Sequence, residues 1–155
     1  MSDSLKELYQ EIILDHARHP RHAGVLADAN AEAEGYNPLC GDRVKIYARL
    51  KDGRIAGLTF EGKGCAISQA SASLMVEMLQ GRTIEEAESL RDAFLHLVKG
   101  HEHTGMSEDD RERLEVMAGV QQFPMRVKCA TLAWHTLHEA VTGGHETVSS
   151  QDETP

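Results

Sequence analysis

From position 43 to position 61 the chain alternates apolar and polar residues in two successive runs, and this double alternation is the tightest constraint in the sequence. Val44, Ile46, Ala48 and Leu50 interleave with Arg43, Lys45, Tyr47 and Arg49; after Lys51-Asp52-Gly53, a second run sets Ala56, Leu58 and Phe60 against Ile55, Thr59 and Glu61. Strand side chains point to opposite faces in turn, so each run reads as a half-buried strand and the pair as an antiparallel hairpin. A two-residue turn at Asp52-Gly53 would pair Ile46 with Thr59 and Val44 with Glu61, polar against apolar. A three-residue loop, with Gly53 in the left-handed region, pairs Ala48 with Ala56, Ile46 with Leu58 and Val44 with Phe60, and puts all six on one face. The second register is the expected one. Extended toward the open end, it sets Asp42 opposite Gly62 and Cys40 opposite Gly64, which gathers Cys40, Asp42 and Cys65.

Helical spacing accounts for most of the remainder. Leu5, Leu8, Ile12 and Ile13 mark an amphipathic helix from Ser4 to about Ala17, stopped by Pro20. A possible short strand precedes the turn-forming stretch from Gly35 to Pro38. Ile67, Ser71, Leu74, Met75 and Met78 form a helical pattern that opens after Cys65 and closes at Gly81. Thr83 with Glu86 has the form of a capping box at the head of a helix reaching Lys99. A further helix is expected from Ser107 to Ala118, and a last one from Pro124, with Val127, Ala130, Trp134, Leu137 and Val141 on one stripe and Cys129 in its early turns. The Met75 and Met78 pair and Trp134 read as core.

One domain over residues 1–144, followed by a polar, aperiodic and flexible tail over residues 145–155, is the expected organisation of these 155 residues. Sixteen Lys and Arg against 25 Asp and Glu leave a formal charge of −9, a sign that repels phosphate backbones and anionic membranes. Neither nucleic acid nor a membrane is therefore an expected partner. The sequence has no apolar run approaching the roughly 20 residues that cross a bilayer, and its first residues lack a signal-peptide core. A soluble, cytoplasmic protein is expected.

Three cysteines cannot pair completely with one another, so at least one thiol is buried, reactive or metal-bound. Cysteines near helix amino termini favour the thiolate, which is the metal-binding form. Asp42, separated from Cys40 only by Gly41, adds a carboxylate. Cys40, Asp42, Cys65 and Cys129 thus make a plausible four-donor set for tetrahedral zinc or an iron-sulfur cluster. Spacing alone is equally compatible with small buried hydrophobes, since there is no C-x-x-C pair, and the hairpin register tilts the balance toward metal. Lys128 and Arg126 flank Cys129 and could offset the charge of such a site. His16, His19 and His22 recur every three residues, but Pro20 interrupts them, and they read as solvated rather than ligating. His101 and His103 lie in a polar loop.

Leu39-Cys40-Gly41-Asp42, Gly62-Lys63-Gly64-Cys65-Ala66-Ile67-Ser68 and Arg126-Val127-Lys128-Cys129 resemble the three cysteine motifs of the iron-sulfur assembly proteins of the IscU and NifU type. Leu8-Tyr9, Leu14-Asp15-His16, Pro20-Arg21, Gly24, Phe123-Pro124 and Cys129-Ala130-Thr131-Leu132-Ala133-Trp134 are similar to the SufU branch. Lys128 stands where the IscU branch has a histidine, and the long stretch between Cys65 and Cys129 resembles the SufU insertion.

The resemblance implies an α+β fold, a small antiparallel three-stranded sheet packed against about five helices. It further implies a zinc site of Cys40, Asp42, Cys65 and Cys129, with Cys40 accepting sulfur from the persulfide of a SufS-like cysteine desulfurase. The implied function is zinc-dependent sulfur transfer in iron-sulfur cluster biogenesis, with delivery to downstream iron-sulfur scaffold proteins. The alternatives are a scaffold on which a transient iron-sulfur cluster is assembled, and a non-catalytic zinc-stabilised adaptor. Cys40 is also the mobile thiol on local grounds, because Gly41 lets its turn swing at little steric cost while Cys65 and Cys129 are tied to helices.

Overall fold

The computed structural model describes residues 3–102, 105–143 and 147–149. Helix α1 (Asp3–Arg18) is followed by β1 (Ala31–Asn37), β2 (Asp42–Lys51) and β3 (Arg54–Lys63), then α2 (Ala66–Leu79), α3 (Ile84–Val98), α4 (Glu108–Leu114), a 3-10 helix (Glu115–Gln122), α5 (Pro124–Val141) and β4 (Thr147–Ser149). The sheet order is β3-β2-β1-β4. Strands β1 to β3 are antiparallel, as expected, and β4 adds a short parallel strand against Glu34–Tyr36 of β1. Thr147–Ser149 lie in the stretch expected to be a flexible tail and form a strand instead; the rest of that stretch and His103 lie outside the described residues.

The hairpin forms, in a different register from the one expected. Asp52 and Gly53 both have positive φ, 54° and 75°, so the turn is the two-residue type whose twist matches the strands, and it pairs Lys51 with Arg54 and Leu50 with Ile55. A register shift follows immediately: Arg49 pairs with Gly57, which leaves Ala56 as an extra residue, a bulge. Beyond it Ala48 meets Leu58, Ile46 meets Phe60 and Val44 meets Gly62. The bulge reconciles the tight turn with an apolar face, and Ile55 rather than Ala56 is the buried residue. Its consequence at the open end is that Arg43 pairs with Lys63, so Asp42 faces the turn at Gly64 and Cys65 rather than Gly62.

Helices α2 and α5 cover the apolar face of the sheet, α5 over β1 and β2 and α2 over β3. Ten of the 14 residues of α2 are buried, because α1, α5 and the sheet surround it. Small residues permit this close packing, and their hydroxyls have partners. Ser71 Oγ donates to the Ala130 carbonyl at 2.5 Å and accepts from the Trp134 indole N–H at 3.1 Å, which ties α2 to α5. Trp134, fully buried, stacks on Phe94 at 4.6 Å, and Met75 and Met78 are core residues as expected.

On α1, Tyr9, Ile12 and Ile13 pack against the core, whereas Leu8 is 49% exposed and lies off the buried stripe. His16 corrects an expectation. It is buried rather than solvated, with Nδ1 2.8 Å from Ser73 Oγ, and burial pushes its pKa down. The segment expected as one helix from Ser107 to Ala118 is α4 continued by the 3-10 helix. There the buried Met117 and Val120, three residues apart, share one face of a three-residue turn.

Candidate metal centre

Four elements deliver the three thiols and the carboxylate to the open end of the sheet. Asp42 is the first residue of β2 and is fully buried. Cys40 is exposed on the turn between β1 and β2, where Gly41 at φ +73° donates its N–H to the Asn37 carbonyl at 2.8 Å. Cys65, also exposed, is the N-cap of α2, and its sulfur accepts the Ser68 N–H at 3.5 Å. Cys129 is buried in the second turn of α5.

The donor atoms converge. One donor atom each from Cys40, Asp42 and Cys129 lies within 4.8 Å of the others. The Cys40 and Cys129 sulfurs are 3.7 Å apart, against about 3.8 Å for the edge of a tetrahedron with metal–sulfur bonds of about 2.3 Å. Cys65 stands to one side, outside that mutual radius, with its sulfur 3.9 Å from Asp42 Oδ2 and its backbone N–H donating to Asp42 Oδ1 at 2.9 Å. A wholly buried carboxylate beside three sulfurs is costly unless a cation balances it, and three soft donors with one carboxylate suit a zinc-type ion. The residues fit a metal.

Comparison with known proteins agrees with this constellation. The family described as NifU-like N terminal domain matches residues 8–130, a span that contains all four candidate donors. The chain belongs to that family. It is 39% identical over 138 residues to the zinc-dependent sulfurtransferase SufU of Bacillus subtilis (strain 168), an alignment covering 89% of this chain and 92% of the relative. It is 40% identical over 136 residues to the iron-sulfur cluster assembly scaffold protein IscU of Thermotoga maritima, covering 88% and 94%. Among solved structures, the putative iron-sulfur cluster assembly scaffold protein for the SUF system from Fervidobacterium islandicum AW-1 superposes with a TM-score of 0.79 at 34% identity, over 90% of this chain and 99% of that one. The fold of the NifU-like N-terminal domain is thus the fold of this chain.

Within this family member the three thiols are not equivalent. Cys65 is pulled down to about 6, first because the Cys129 thiol donates to its sulfur and then because the N–H groups of Ser68 and Ile67 point at it, against an opposing effect of burial. Cys129 moves the other way, held protonated by that same bond to Cys65, by burial and by Asp42. Of the two helix-borne cysteines, Cys65 alone sits at the positive end of its helix. Cys129 sits five residues past Pro124, beyond the first turn where the positive end of a helix acts.

Arg126, expected as a shielding charge, is exposed and lies over the Phe123 ring at 4.7 Å. Lys128 is half-buried beside Cys129. Two residues outside the donor set shape the centre. Asn37, fully buried at the end of β1, accepts the Leu39 N–H on Oδ1 at 3.2 Å and donates from Nδ2 to the Cys129 sulfur at 3.7 Å. Gly64, at φ +153°, lies flat against the Asp42 carboxyl, where a Cβ would collide. The signals for both were the turn dipeptide Asn37-Pro38 and the glycine immediately before Cys65.

Proposed function

We infer that this chain is a sulfur-transfer protein of iron-sulfur cluster biogenesis. Cys40 takes sulfane sulfur from the persulfide of a SufS-like cysteine desulfurase and passes it to downstream iron-sulfur scaffold proteins. Cys40, Asp42, Cys65 and Cys129 would hold zinc, which when bound keeps the thiols deprotonated near neutral pH and fixes their positions. The observation that carries the reading is the contrast among the sulfurs. Cys40 is exposed on a glycine-containing turn, 3.7 Å from a buried Cys129 that a helix holds in place.

Chemically, the Cys40 thiolate attacks the outer sulfur of the desulfurase persulfide. The new S–S bond forms at Cys40, the donor's S–S bond breaks, and the donor cysteine leaves as a thiolate, with no external oxidant or reductant. Exposure of Cys40 and Cys65 gives the partner's persulfide-bearing segment a shallow approach. Among the described residues no helix is long and apolar enough to cross a membrane. Three free thiols suit a reducing compartment, so the reading places the protein in the cytoplasm. The name of the B. subtilis relative supports zinc-dependent transfer, and the names of the IscU relatives support the scaffold reading.

Mass spectrometry after incubation with a desulfurase and free cysteine tests the proposal. One added sulfur that vanishes in Cys40→Ser is the expected result. Metal content after anaerobic purification separates the alternatives: about one zinc per chain without cluster absorption accords with transfer, whereas iron and sulfide that move intact to an acceptor would favour the scaffold. Absence of persulfide on the chain, with metal bound, would leave the zinc-stabilised adaptor.

A further inference from the structure

The Asn37 side chain touches both the movable and the fixed part of the centre. Its orientation follows from chemistry. The backbone N–H of Leu39 can only donate, so the atom 3.2 Å from it is the carboxamide oxygen, and the NH2 group necessarily faces the Cys129 sulfur at 3.7 Å. The residue is fully buried, at the last position of β1 and paired across the ladder with Asp42. Its backbone takes part as well, since its carbonyl accepts the Gly41 N–H. Leu39 and Gly41, the two neighbours of Cys40, are thus both tethered to Asn37.

We propose that Asn37 is a positioning residue of the centre: its oxygen anchors the Cys40 turn, and its NH2 group donates to the Cys129 sulfur and stabilises that sulfur as a metal-bound thiolate. The inference rests on the reading that these donors hold a metal, and deepens it. A thiolate that accepts an N–H keeps its charge at lower energy, and groups behind the ligands in this way are typically worth about 10–100-fold in metal affinity. The arrangement also divides labour. When the Cys40 turn swings outward the bonds from Leu39 and Gly41 must give way, whereas the donor to Cys129 stays in place.

Cobalt(II) is the probe, added to the full chain in its metal-free, reduced form. Asn37→Asp keeps an acceptor for Leu39 but replaces the donor with an oxygen, and Asn37→Ala removes both. Both variants should bind cobalt about 10–100-fold more weakly by chelator competition, and their sulfur-to-cobalt charge-transfer band should move to longer wavelength. The amide of Leu39 should stay protected from hydrogen exchange in Asn37→Asp and lose protection in Asn37→Ala. A merely structural role would leave the band of the folded, cobalt-loaded protein unmoved.

The proposal is overturned if Asn37→Asp has native circular dichroism, a protected Leu39 amide, and the affinity and band of the parent. Should neither variant fold, the parent loaded with cadmium-113 decides. The Asn37 NH2 proton should then show coupling to the metal through the sulfur, and its absence overturns the assignment. A parent chain with no sulfur-to-cobalt band at all would sink the metal reading itself, a result distinct from unchanged variants.

Discussion

Replacing Gly64 by alanine should damage the centre without touching a donor. The added Cβ would sit 2.8 Å from Asp42 Cγ and 3.0 Å from Asp42 Cβ, and closer still to Oδ1. Asp42 is fully buried, so the carboxyl cannot give way without losing the Cys65 N–H that Oδ1 now accepts at 2.9 Å. Leaving a buried acceptor short of a partner costs about 1–3 kcal/mol, and an L-residue in a glycine-only backbone region costs a further ~1–3 kcal/mol. The two together, about 2–6 kcal/mol, correspond for a chain of this length to a fall in Tm of roughly 4–24 °C. Gly41→Ala is the internal control, because Gly41 also has positive φ, +73°, but nothing lies within 4 Å of its Cβ position. It should show the backbone cost alone. Thermal melts of the two metal-free variants, together with zinc affinity by chelator competition, make the comparison. If Gly64→Ala melts and binds zinc like Gly41→Ala, the close approach to Asp42 is not what requires glycine there.

Two further expectations concern stability away from the thiols. Arg82 donates two hydrogen bonds to Asp110, at 2.7 and 2.9 Å, and holds the Asp110 carboxyl below the ordinary carboxylate range. A depressed folded-state pKa stabilises the fold above the unfolded value of about 3.9 and is lost as pH falls through the lower, folded value. Urea midpoints should therefore drop below about pH 4 in the parent and much less in an Arg82→Met, Asp110→Asn double variant. Ser71→Ala strands the buried Trp134 indole N–H and should cost about 1–3 kcal/mol, with a shifted Trp134 fluorescence maximum; an unchanged denaturation midpoint would remove Ser71 as the tie between α2 and α5.

The helices were legible because apolar periodicity and caps are local. Thr83 with Glu86 forms the capping box read from the sequence, and Pro124 opens α5. The hairpin was legible as a hairpin, but its register was set by two features acting together, a tight turn and a bulge at Ala56. A search for one loop length that satisfied the whole apolar face could not separate them. β1 was the hardest element to read. Its residues, Ala-Glu-Ala-Glu-Gly-Tyr-Asn, have weak strand propensity, and it forms because β2 and β4 pair with it while α5 covers its small buried positions. At the centre, four donors could be nominated from the motifs. The part played by Asn37 and the opposite pKa directions of Cys65 and Cys129 depend on which groups meet across the open end of the sheet, a matter of tertiary geometry.

The contact between β1 and α5 has a bearing on how such a centre can be retuned. At Gly35 there is no side chain between strand and helix: a Cβ there would run into Thr136 Oγ1 and lie 3.1 Å from Leu132 Cδ1. The helix that carries Cys129 therefore leans directly on the strand that carries Asn37, and at that point the gap has no room for even a methyl group. A protein engineer wishing to widen the spacing between sulfurs while leaving every ligand intact would have a spacer to adjust at Gly35, which is not itself one of the candidate donors.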